Sequence, residues 1–134
     1  MTSGTRHILL IDDDKDDAEL FSDAVEELEV NVGLIHFIDG NEAVKKLYEK
    51  AAPIPDIIFL DINMPHINGW ECLKQLKIIA HLKSIPIVMY STSTLDKHGI
   101  APADVGASAF LTKPSNFEEL KNRLMALFTS LIPG

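Results

Sequence analysis

A single cysteine, Cys72, stands among 134 residues, so no disulfide can close within the chain, and a reducing compartment is the natural setting. Basic residues are scarce. Twelve Lys and Arg face 20 Asp and Glu, a net charge of −8, which argues against direct binding to a phosphate backbone such as DNA. Apolar runs such as Ile57-Ile58-Phe59-Leu60 are far too short to span a bilayer, and the amino end lacks the pattern of a signal peptide. The five histidines, His7, His36, His66, His81 and His98, show no ligand spacing and read as incidental. What is present is an ordinary apolar content of 46% in a length that suits one domain. The expectation is a soluble, cytoplasmic, single-domain protein over 1–134, without membrane insertion.

Short apolar runs alternate with segments of helical period. The strand-like runs are His7-Ile8-Leu9-Leu10-Ile11, 32–38, Ile57-Ile58-Phe59-Leu60, Ile87-Val88-Met89-Tyr90 and Ala109-Phe110-Leu111-Thr112. Between them, residues at spacings of three and four mark buried helix faces. These are Ala18, Phe21, Val25 and Leu28; then Ala43, Val44, Leu47 and Tyr48, capped by Asn41; then Trp70, Leu73, Leu76 and Ile79 with Ala80. A fourth helix over 96–105 carries both Gly99 and Pro102, each unfavourable in a helix interior, so it is short, kinked or partly melted. The fifth, with Phe117, Leu120, Leu124, Leu127, Phe128 and Leu131 on one face, starts at a capping box over 115–118. Strands apolar on both faces, alternating with helices, predict a parallel sheet covered on each side. The leading topology is a flavodoxin-like, doubly wound (βα)5 sheet of order 2-1-3-4-5.

Sites in such sheets form beyond the carboxyl ends of the strands, where strand order reverses. Asp12, Asp13 and Asp14 follow the first run, Asp61 and Asn63 the third, Ser91 and Thr92 the fourth, and Lys113 the fifth. Two carboxylates about 4 Å apart repel by on the order of 4 kcal/mol at an effective dielectric near 20. A hard divalent cation offsets that, and oxygen ligands without a His or Cys cluster favour Mg²⁺. Mg²⁺ leaves room for phosphate oxygens, and an aspartate can itself be the phosphoryl acceptor. Asp61 ends the central strand and is best placed for that role, with Lys113 as a point charge and Ser91 as a hydroxyl donor. Asp16 and Asp17 read as solvated acids of a helix start, favoured by the helix dipole.

At these residues the chain resembles the receiver domain of two-component response regulators. The motifs are Ile11-Asp12-Asp13, Asp61-Ile62-Asn63-Met64-Pro65 followed by Gly69, Ser91-Thr92, and Gly106-Ala107-Ser108-Ala109-Phe110-Leu111-Thr112-Lys113-Pro114. The resemblance implies a phosphorylation-activated switch that accepts a phosphoryl group on Asp61 from a histidine kinase or phosphotransfer protein. It implies Mg²⁺ bound directly by Asp13, Asp61 and the backbone carbonyl of Asn63, with Asp12 acting mainly through water. Ser91 stands where the family has Thr or Ser, and Phe110 where it has a switch aromatic, so coupling between them runs through packing and not a ring hydroxyl. A cis Lys113–Pro114 bond is implied as well.

The output would be a downstream protein target reached through protein contacts, with a homodimer through the face of the fourth helix, fifth strand and fifth helix as an option. Such a module is not a turnover enzyme; Mg²⁺-dependent autophosphorylation and autodephosphorylation are its chemistry. A haloacid-dehalogenase-type phosphatase would need an acid where Asn63 stands. An FMN carrier would need a hydroxyl- and glycine-rich loop where Asp12-Asp13-Asp14 stands. Trp70, just past the active loop, reads as a packing residue, and Cys72 as a small buried hydrophobe.

Overall fold

The computed structural model describes residues 6–28, 31–92 and 101–132. Five strands, β1 (Arg6–Ile11), β2 (Val32–Phe37), β3 (Ile57–Asp61), β4 (Ile87–Ser91) and β5 (Ala109–Thr112), form one sheet. All pairings are parallel, in the order β2-β1-β3-β4-β5, as the alternating pattern predicts. The helices are α1 (Lys15–Glu26), α2 (Gly40–Tyr48), α3 (Gly69–Lys77) and α4 (Phe117–Leu131), the last being the fifth helical segment of the sequence pattern.

Side chains alternate across each strand, and this splits the core in two. Leu9, Ile11, Ile58, Leu60, Ile87 and Met89 face α2 and α3, meeting Ala43, Leu47, Cys72, Leu73 and Leu76. Ile8, Leu10, Ile57, Phe59, Val88, Tyr90 and Leu111 face the other way, onto Ala18, Phe21 and Val25 of α1 and Leu120, Leu124 and Phe128 of α4. Every residue of β3 and β4 is buried, as strands covered on both faces require. Phe21, Phe59 and Tyr90 interlock edge to face, with ring centroids 5.1–6.4 Å apart, and this cluster is the floor beneath the ends of β3 and β4.

Several local expectations are corrected. The α2 cap is Asp39, whose carboxylate accepts from the Asn41 N–H at 3.1 Å, and not Asn41. Tyr48, expected on the buried stripe, is 71% exposed, since α2 ends there and only Ala43 and Leu47 turn fully inward. Ala80, also placed on a buried stripe, is exposed because it opens the 3-10 turn Ala80–Leu82 beyond the end of α3. Asn116 caps α4 by accepting from Glu119 N–H at 2.8 Å, so the box over 115–118 is displaced by one residue. Of the expected helix 96–105, residues 96–100 lie outside the described residues, and Pro102–Val105 form a 3-10 turn closed by Gly106 at φ 85°. No peptide bond is cis among the described residues. Lys113–Pro114 is therefore trans, the form an X–Pro amide favours by about 0.5–1 kcal/mol.

The loop from β3 to α3 is tied back onto the strand end. Gly69 N–H donates to the Ile62 carbonyl at 2.8 Å, and a Cβ on Gly69 would collide with the Asp61 carbonyl oxygen and lie 2.6 Å from Ile62 Cα. Both obstacles are backbone, which cannot rotate away. Gly69→Ala is expected to destabilise the fold by about 1–3 kcal/mol, the usual cost of overpacking; a urea unfolding midpoint equal to wild type would show that the loop yields freely.

Candidate functional site

Asp12 lies just past the end of β1 and Asp61 ends β3, on adjacent strands where the chain reverses its order of progression across the sheet. Asp12, Asp13 and Asp61 each offer a carboxylate oxygen, and these oxygens lie within 4.8 Å of one another. Asp12 and Asp61 are buried while Asp13 is exposed. Asp13 and Asp61 line a cleft of about 500 Å³ together with Asp17, Asn63, Thr92 and Lys113.

Local turns fix the Asp12 and Asp61 carboxylates. Asp12 Oδ1 accepts from the Asp14 N–H at 2.9 Å, while Asp14 caps α1 through the Asp17 N–H at 3.0 Å. Asp61 Oδ1 accepts from the Asn63 N–H at 3.3 Å. His36, on the edge strand, donates from Nε2 to the Asp12 carbonyl at 2.7 Å, and His81 does the same to Leu47 at 2.8 Å. Neither histidine is incidental: His36 supplies a donor to the Asp12 carbonyl, and His81 shares the Leu47 carbonyl with the Lys50 N–H at 3.2 Å. A signal for His36 did exist: its parallel register sets it beside Leu10, two residues before the acidic turn.

Lys113 is the counter-charge. Its Nζ donates to Asp12 Oδ2 at 3.0 Å and Asp17 Oδ2 at 2.8 Å, stands 3.6 Å from Asp61 Oδ2, and lies 5.0 Å from the centre of the Tyr90 ring. Burial alone would depress the ammonium, but the hydrogen bond to Asp17, the charge and hydrogen bond of Asp12, and the charge of Asp61 hold it above the ordinary lysine value. The Asp17 contact corrects the expectation of a merely solvated acid: a partner 96 positions away leaves no trace in helical spacing.

Ser91 is 1% exposed at the end of β4, and its carbonyl accepts from Lys113 N–H at 2.6 Å. Thr92, not Ser91, lines the cleft. Phe110 is half-buried on β5 and meets Trp70 edge to face at 6.4 Å, a pair that sequence spacing could not reveal. Cys72 is buried; burial and the nearby Asp39 push its thiol up to about 12, which suits a small core residue and not a nucleophile.

Four carboxylates, Asp12, Asp13, Asp17 and Asp61, around the Lys113 ammonium leave the cleft in surplus negative charge. Burial first, then the charge of Asp12, raise the Asp61 carboxyl to about 7, with Lys113 working against them. An all-oxygen set that is costly to ionise alone fits a hard divalent cation. An unfolded aspartate titrates near 3.9, so between about pH 4 and pH 7 the metal-free folded chain keeps a proton that the unfolded chain has lost. Stability therefore falls as pH rises through that window, by on the order of 4 kcal/mol. Urea unfolding in chelator is expected to show this decline in wild type, a flatter profile for Asp61→Asn, and a variant more stable than wild type near pH 7.5; parallel profiles would assign the raised carboxyl elsewhere.

Comparison with known proteins agrees with this geometry. The family model described as the response regulator receiver domain matches residues 8–125. Response regulator Rcp1 of Synechocystis is 32% identical over 117 residues, 84% of this chain and 80% of that one, and protein PilG of Pseudomonas aeruginosa is 33% identical, over 88% of this chain and 87% of its own. The crystal structure of the Mn²⁺-bound form of Rcp1 superposes with a TM-score of 0.80 at 29% identity, covering 96% of this chain and 99% of that one. That of the phosphorylated cyanobacterial phytochrome response regulator RcpA does so with a TM-score of 0.84 at 28% identity, covering 98% of this chain and all of the other. The chain belongs to the response regulator receiver domains, the phosphorylation-activated switches of two-component signalling.

Proposed function

We propose that Asp61 is the phosphoryl acceptor, taking the group from a histidine kinase or phosphotransfer protein. The observation that carries this is the convergence of Asp12, Asp13 and Asp61 within 4.8 Å beside the Lys113 ammonium at 3.6 Å. In the transfer, an Asp61 carboxylate oxygen forms a bond to phosphorus as the phosphorus–nitrogen bond of phosphohistidine breaks. The electron pair leaves on the imidazole, which takes a proton from solvent. Lys113 supplies positive charge to the phosphoryl oxygens, where transfer depends on positioning and electrostatics and needs little covalent help.

Asp13 and Asp61 would hold Mg²⁺ directly, with the Asn63 carbonyl, and Asp12 would hold it through water. Bound there, the ion neutralises carboxylate and phosphoryl charge that Lys113 alone cannot balance. Mn²⁺ appears in the Rcp1 structure, which supports a divalent site of this kind. The chain's chemistry is confined to its own phosphorylation and dephosphorylation, and its output is contact with a downstream protein.

Ser91 and Phe110 are the switch. Phosphorylating Asp61 adds roughly one negative charge and three strong acceptors. The buried Ser91 hydroxyl then turns towards them, and Phe110 moves into the space it leaves. With no ring hydroxyl on Phe110, coupling is steric, and Trp70 is its contact on the outer side. The face over β5 and α4 carries the change to partners or to a second copy; the remaining part of that face, 96–100, lies outside the described residues.

Incubation with acetyl phosphate and Mg²⁺ is expected to add one base-labile phosphoryl group by intact mass, lost in chelator and in Asp61→Asn. Equal labelling of that variant would overturn the assignment. Trp70 fluorescence is expected to change on phosphorylation, and Phe110→Ala should abolish the change while leaving the phosphoryl adduct in place. A full fluorescence response in Phe110→Ala would detach Phe110 from the switch.

A further inference from the structure

The shortest of the three Lys113 ion pairs goes to a residue outside the motifs that define this site. Asp17 Oδ2 is 2.8 Å from Nζ, Asp12 Oδ2 3.0 Å and Asp61 Oδ2 3.6 Å. The first two are hydrogen bonds, and the third is too long to be one. An ammonium has three protons to donate, and two are directed to acids other than the proposed acceptor. Asp12 is fully buried and Asp61 nearly so, whereas the Asp17 side chain is 35% exposed at the rim.

Asp17 is not placed there loosely. Its own N–H is held by the Asp14 cap at 3.0 Å, and it sits in the first turn of α1, whose Phe21 packs on the Phe59 and Tyr90 rings beneath the cleft. The ammonium lies 5.0 Å from the Tyr90 ring centre. Helix α1 and the lysine therefore share one aromatic floor, and the carboxylate meets the ammonium above it.

We infer that Asp17 is a positioning residue that holds the Lys113 ammonium back from Asp61 in the unphosphorylated chain, so that the Asp17–Lys113 pair competes with a phosphoryl group on Asp61. This rests on the assignment of Asp61 as the acceptor. The charge of one ammonium is shared among its partners. A carboxylate bonded to it lowers the positive potential it offers to phosphoryl oxygens, and any shift of Nζ towards Asp61 draws against the Asp17 bond. Asp12 is part of the site, so Asp17 is the partner whose removal frees Lys113 without dismantling the pocket. The unphosphorylated state is stabilised by the pair, and the phosphorylated state must weaken it.

The test is the affinity of the full chain for beryllofluoride, a phosphoryl mimic, in saturating Mg²⁺, read calorimetrically for wild type, Asp17→Asn, Asp17→Glu and Asp16→Asn. Asp17→Asn is expected to bind about two- to fivefold more tightly, within the range spanned by a partly exposed charged pair. Asp17→Glu, which restores the carboxylate, should return towards wild type. Asp16 is exposed on the same turn and lies outside the Lys113 ion pairs, so Asp16→Asn makes the same change in net charge and should bind as wild type does. Acetyl phosphate labelling should accelerate in Asp17→Asn alone. Equal affinity of wild type and Asp17→Asn, or weaker binding by the variant, overturns the inference. So does an equal gain in Asp16→Asn, which would reduce the effect to net charge. If wild type itself binds no beryllofluoride, or if Asp61→Asn binds it as well as wild type, the assignment of Asp61 fails and this inference falls with it.

Discussion

The structure turns on one electrostatic problem: carboxylates from two adjacent strand ends are pressed together, and the Lys113 ammonium answers them. Asp12 and Asp61 are brought side by side by the β1–β3 pairing, and Asp13 follows Asp12 in the chain. The Asp12 and Asp61 carboxylates are each held by a main-chain N–H of their own turn, from Asp14 and Asn63, so those two cannot relax apart. Repulsion of this kind costs several kcal/mol. Folding sustains it because two apolar layers, one on each face of the sheet, fix the strands regardless of what their ends carry. The stored cost makes the pocket receptive to positive charge.

That arrangement explains the division of labour around the cleft. Lys113 arrives from β5, an edge strand, and its main-chain N–H is fixed on the Ser91 carbonyl, so a change at the lysine is felt at the end of β4. Ser91 is sealed beneath the surface, and Phe110, three residues before Lys113, rests on Trp70. Asp61, Lys113, Ser91 and Phe110 thus lie on or just past neighbouring strands with few degrees of freedom between them. A new group at one of them would be transmitted by packing, since close-packed layers shift between discrete arrangements more readily than they deform.

Much of this was legible in the residues. Strands apolar on both faces stop abruptly at Asp12, Asp61 and Ser91, and an open parallel sheet collects such ends at one edge. What could not be read falls into two kinds. Helix caps depend on the backbone angle of one residue, so Asp39 was passed over for Asn41, and Asn116 for the preceding serine. Contacts between distant segments carry no periodic signal: Asp17 with Lys113, His36 with the Asp12 carbonyl, Trp70 with Phe110. Those contacts appear only when the chain is closed.

The most direct test of the central claim is calorimetric titration of the unphosphorylated chain with Mg²⁺ alone, for wild type and Asp13→Asn. Asp13 is the exposed acid of the three, so its loss leaves the core intact. The account predicts saturable binding at a single site, weakened at least about tenfold by the substitution. No measurable heat of binding in wild type, or equal affinity in the variant, would contradict it.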